Sequence, residues 1–112
     1  MDIRQLVLVC ENKDEAINNL CNLFDIRVAY HDPGIIFFGL ENALLPVGNT
    51  FIEVISPVEE GTTAGRFLER RKGDGGYMVI IQVDDFLKSK EKVIQSGIDI
   101  VFESDDPLAR AI

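Results

Sequence analysis

The segment Leu6-Val7-Leu8-Val9, followed by a helical stretch and then Ile26-Arg27-Val28-Ala29-Tyr30, has a counterpart later in the chain. Val79-Ile80-Ile81-Gln82 is likewise followed by a helical stretch and then by Ile98-Asp99-Ile100-Val101-Phe102. The offsets agree, 73 residues for the leading strand (79 − 6) and 72 for the trailing one (98 − 26). One supersecondary unit read twice marks a duplicated architecture. The first copy runs on into two more strands ending near Ser56. An offset of 72 sets Ile112 against Leu40, so the second copy is expected to lack equivalents of Glu41 to Ser56. A sheet that its own chain does not close offers an edge to another strand.

The elements between these strands carry local signals. Ile3 to Cys10 reads as a strand, and its two-residue period puts Gln5 on the face of Ile3, Val7 and Val9. Asn12 and Glu15 have capping-box spacing, and Ala16, Ile17, Leu20, Leu23 and Phe24 recur at helical intervals, as in an amphipathic helix laid on a sheet. Ile26 to His31 reads as a strand, Asp32-Pro33-Gly34 as a turn, and Ile35 to Phe38 as an apolar connection. Asn42 to Val47 and Thr50 to Ser56 form a hairpin around Gly48-Asn49, with Pro46 marking an edge or a bulge. Thr62 or Thr63 caps a short helix to about Arg71, which Gly73 and Gly75-Gly76 end. Tyr77 to Val83 is the next strand, and Asp84 or Asp85 caps a helix carrying Phe86, Leu87, Val93 and Ile94, stopped by Gly97. Ile98 to Glu103 reads as a last strand, and Ser104 to Ile112 starts acidic and ends weakly apolar. The order is βαβββ, a connecting helix, then βαβ.

Composition narrows the function. With 112 residues and 46% hydrophobic content the chain can bury one modest core. No apolar run reaches the roughly 18 to 20 residues that span a bilayer, so no membrane partner is expected. Cys10 and Cys21 form no CxxC pair and read as reduced thiols, which points to a cytoplasmic protein. A net charge of −8 opposes nucleic-acid binding. Gly73-Asp74-Gly75-Gly76 is no phosphate loop, and neither cysteine has an obvious histidine partner for nucleophilic catalysis. His31, the lone histidine, reads as a surface or satisfied side chain.

The order of elements resembles the vicinal oxygen chelate superfamily, the glyoxalase, bleomycin-resistance and methylmalonyl-CoA epimerase group. So do Gly39-Leu40-Glu41-Asn42-Ala43, the hairpin Pro46-Val47-Gly48-Asn49-Thr50-Phe51-Ile52-Glu53, and Gly75-Gly76-Tyr77-Met78 ahead of Gln82-Val83-Asp84-Asp85. The resemblance covers about Ile3 to Phe102 and is more specific for fold than for reaction. It implies an α+β fold of paired βαβββ modules with the second incomplete, in one domain spanning 1–112. Module one covers about 3–56, a connecting helix about 62–72, and a partial module two about 76–112. Mixed or antiparallel strands would curl around a concave face, with both amphipathic helices on the convex side.

The resemblance further implies a divalent metal (Zn, Ni, Co, Mn or Fe) that binds vicinal oxygens of a small substrate as a Lewis acid, in a lyase or an epimerase-type isomerase. The first-strand ligand position falls on Gln5, where the family commonly has His and some glyoxalases use Gln, and the fourth-strand position falls on Glu53. The third falls on Met78, a soft thioether poorly suited to such metals. The fourth belongs to a strand beyond the matched region. Met78, Phe51 and Tyr77 are expected to line the substrate cup, and a homodimer is expected to supply what one chain lacks. The alternatives are a metal-free small-molecule binding protein of the bleomycin-resistance type and an inactive truncated domain. Taken alone, Gln5 and Glu53 also read as ordinary polar residues bonded across neighbouring strands.

Overall fold

In the computed structural model, residues 1–104 are described. The strands are β1 (Asp2–Val9), β2 (Leu40–Val47), β3 (Thr50–Pro57) and β4 (Gly75–Gln82), and the helices are α1 (Lys13–Phe24), α2 (Thr63–Arg71) and α3 (Phe86–Gln95), with a 3-10 helix over Pro33–Phe38. The four strands form one mixed sheet in the order β2-β3-β1-β4. β1 runs parallel to β3, with Gln5 opposite Phe51 and Val7 opposite Glu53. It runs antiparallel to β4, with Val7 opposite Met78. The leading strand of the second copy thus lies directly beside the leading strand of the first. The α+β class is as expected, and of the two strand arrangements left open, mixed or antiparallel, the sheet has the mixed one.

Local chemistry sets the boundaries. Asn12 Oδ1 accepts from the Glu15 amide at 3.1 Å, Thr62 Oγ1 from Gly65 at 2.9 Å and Asp85 Oδ1 from Lys88 at 3.1 Å, each satisfying an amide that the first turn leaves without a partner. β2 and β3 pair antiparallel as a tight hairpin whose turn needs the positive φ of 58° at Gly48. The apolar residues divide between two faces. Ala43, Leu45 and Val54 pack with Ile17 and Leu20 of α1 on one face. Val7, Val9, Leu40 and Ile55 pack with Ala64 and Leu68 of α2 on the other.

Two expectations need correction. Ile26 to His31 is not a strand: only Tyr30 forms a bridge, to Leu44, with Ala29 N–H donating to Leu44 O at 2.8 Å. Continuing that register would set Val28 opposite Pro46, whose nitrogen carries no hydrogen, so the ladder stops. Ile98 to Glu103 is not a strand either. Among the described residues no strand lies beside it, and a strand has no ladder without a neighbour. Of the two amphipathic helices expected on one face of the sheet, α1 packs there. α2 covers the opposite face, and α3 has no buried residue. The tail from residue 105 lies outside the described residues.

Candidate functional site: a buried carboxylate held by two amides

Three polar side chains are buried on the sheet face opposite α1: Gln5 (2% exposed), Asn42 (4%) and Glu53 (7%). Strand alternation places them there. Gln5 and Glu53 follow the parallel register of β1 and β3, and Asn42 comes from β2 on the far side of β3. Gln5 Nε2 donates to Glu53 Oε1 at 2.8 Å, and Asn42 Nδ2 donates to Glu53 Oε2 at 2.7 Å. Gln5 and Glu53, expected on other grounds to approach one another, are therefore in direct contact. Asn42 had no expected role; the sequence shows it only as one polar residue in an apolar strand.

Asn42 is fixed at both ends of its amide. Its Oδ1 accepts from the Asp32 backbone N–H at 2.9 Å, so its Nδ2 must face Glu53. Its backbone carbonyl accepts from His31 Nδ1 at 2.7 Å, which satisfies the lone histidine as expected. Gln5 is fixed at one end only, for its Oε1 is buried with no partner among the described residues. Burial pushes the Glu53 pKa up, and the nearby charge of Asp32 adds to this; the bonds from Asn42 and Gln5 pull the other way without cancelling it.

The expected lining residues share this face to different degrees. Met78 sits across Val7 from Glu53 and is 48% exposed. Phe51 neighbours Gln5 across the β1–β3 pair, while Tyr77 packs edge-on against Phe67 of α2 with ring centroids 5.0 Å apart. A hollow of about 590 Å³ lies elsewhere, between α3 and the segment after Gly97. Both cysteines are free, and burial beside Asp74 raises the Cys10 thiol to about 11, which leaves it protonated and unreactive.

For a divalent cation the fit is partial. Gln5 Oε1 is a buried acceptor without a donor, and the Glu53 carboxylate is a hard oxygen ligand, so two donors of the right chemistry stand together. The Asn42 amide already holds one Glu53 oxygen, and the Met78 thioether is too soft to serve. Among the described residues no group of three His, Cys, Asp or Glu side chains could complete a site. The described residues offer two ligands.

No family model and no curated protein sequence matches the chain. Solved structures do match. Methylmalonyl-CoA epimerase from Mycobacterium tuberculosis superposes with a TM-score of 0.81 at 20% identity, over 91% of this chain and 68% of that one. The Streptomyces coelicolor epimerase, solved with 2-nitronate-propionyl-CoA, gives 0.81 at 15% identity over 91% and 74%. A hypothetical protein from Bacillus halodurans C-125 gives 0.84 at 17% identity over 98% and 78%. The chain shares the fold of these structures.

Proposed function

We propose that this is a glyoxalase-like protein acting on a small substrate with vicinal oxygens, as a metal-dependent isomerase or lyase to which Gln5 and Glu53 contribute two ligands. The observation that carries this reading is their contact on the sheet face opposite α1, with Gln5 Oε1 buried and free to accept. A cation held there would act as a Lewis acid toward the two substrate oxygens. Phe51, Met78 and Tyr77 would give the substrate its apolar walls. A second reading, a metal-free small-molecule binding protein, is favoured by the Asn42 amide on Glu53 Oε2 and by Met78.

Metal content separates the two. Protein dialysed against Zn, Ni, Co, Mn and Fe in turn, then against metal-free buffer, is expected to retain one of them at a fixed stoichiometry. Retention of none at any stoichiometry would leave the binding-protein reading standing alone.

The same proposal extends to organisation. The repeat divides one domain into a first module over about 3–56, a linking helix over about 62–72 and a partial second module from about 76, in a cytoplasmic homodimer. β4 is an edge strand with Met78, Val79 and Ile81 about half exposed, and a bare apolar edge favours association. A two-fold partner would bring further ligands to the site. Sedimentation at micromolar concentration should give twice the chain mass, and a compact monomer would count against the dimer.

A further inference from the structure

We propose that Arg4 is an anion-binding residue at the open end of this face, and that it takes a small organic acid through its carboxylate. The proposal deepens the reading above, since it assumes that the face carrying Gln5 and Glu53 meets the ligand. It begins with a defect in β1. The β1–β4 register passes from Ile3 opposite Ile81 to Gln5 opposite Ile80, leaving Arg4 as the extra residue of a β-bulge. Bulges re-aim side chains, and here the consequence is specific. Simple alternation would send Arg4 to the face away from Gln5, yet its guanidinium lies 5.1 Å from the ring centroid of Phe51, the residue opposite Gln5.

Arg4 is also chemically unfinished. The chain has 19 acidic residues against 11 basic ones, yet among the described residues no carboxylate lies within 4.0 Å of Arg4. Its Nε is buried and has no acceptor. A guanidinium held over an aromatic ring can still offer its N–H groups as a fork to a planar, two-oxygen acceptor. Arg4 and Phe51 line a hollow of about 410 Å³ together with Gly48 and Asn49 of the hairpin turn, Gln82 and Asp2. Asp2 is the one carboxylate on that wall. It repels a dianion more than a monoanion, as does the chain's net charge of −8, and so favours a carboxylate over a phosphate.

The test uses the full chain stripped of metal with EDTA, so that it does not depend on whether Gln5 and Glu53 bind a cation. The arginine Nε–Hε resonances are followed by NMR at pH 7 while lactate, a monocarboxylate, or inorganic phosphate in parallel, is added at constant ionic strength. Lactate is expected to shift the Arg4 signal saturably. Arg4→Gln should weaken binding about tenfold or more, while Arg66→Gln, distant in the fold, should bind as the unaltered protein does. Arg4→Lys, which keeps the charge and loses the fork, should also bind more weakly, and it decides the matter if Arg4→Gln does not fold. Shifts of the Arg4 and Arg66 signals that rise together without saturating would overturn the proposal. So would undiminished binding by the Arg4 variants, or phosphate binding more tightly than lactate. Failure of the metal reading appears instead in the metal content, and leaves this titration unchanged.

Discussion

Asn42→Leu is expected to destabilise the protein by about 3 kcal/mol at pH 7, since it removes one hydrogen bond to a carboxylate and one from a backbone amide. The structural basis is the double anchorage of the Asn42 side chain, Nδ2 to Glu53 and Oδ1 from Asp32. Leucine fills much the same volume, so the loss reports the bonds and not a cavity. Its pH dependence identifies Glu53 as the group involved. The Asn42 bond lowers a pKa that burial has raised, so removing it raises that pKa further. Below the ordinary glutamate pKa of about 4.3, Glu53 is neutral with or without Asn42, and the cost should shrink toward that of neutral bonds alone, about 1 kcal/mol each. Urea unfolding of both proteins at pH 4 and pH 7 measures this. A cost independent of pH would mean that Asn42 matters through its backbone loop and not through Glu53.

Glu53→Gln should abolish whatever divalent-cation binding the protein has while leaving the fold intact, because an uncharged amide of the same shape replaces the anionic one of the two ligands. In the metal-free protein it should also change the pH profile of stability in a defined direction. Glu53 has a folded pKa above its unfolded one. Its protonated form therefore favours the native state; that contribution is complete below the unfolded value and is lost as pH rises through the folded value. The variant has no such titration. Its stability relative to the unaltered protein should accordingly rise with pH from about 4.3 upward, the reverse of what loss of an ion-paired carboxylate would give. Parallel denaturant titrations across that range test it. Loss of folding in Glu53→Gln would assign the side chain a purely structural role.

What could be read from the residues alone follows from how local each feature is. The Asn12, Thr62 and Asp85 caps and the Gly48-Asn49 hairpin depend on a few consecutive residues, and each was legible. The contact of Gln5 with Glu53 was legible through strand alternation and the resemblance taken together. Asn42 was not, because its importance comes from the register of β2 against β3 and from the loop at Asp32, neither of which has a local signature. Ile26 to His31 and Ile98 to Glu103 have the composition of strands, but a strand needs a neighbour with free donors. Pro46 withholds one in the first case, and no strand stands beside the second among the described residues. Arg4 was invisible for a further reason: one extra residue in β1 reverses which way a side chain points, and periodicity cannot locate a bulge.

The central place of β1 also bears on how the chain is made. Of the four strands of the sheet β1 leaves the ribosome first, but its partners follow at separations of 46 residues (Gln5 to Phe51) and 71 residues (Val7 to Met78). Until then an apolar strand waits with both edges bare, and closing such long loops precedes any gain from pairing. The β2–β3 hairpin, joined by a tight turn, forms early by comparison. A nascent chain of this protein therefore passes through a stage in which the earliest of these four strands is the least protected of them. That is the interval in which a chaperone, or the matching strand of a neighbouring nascent chain, has the most to bind.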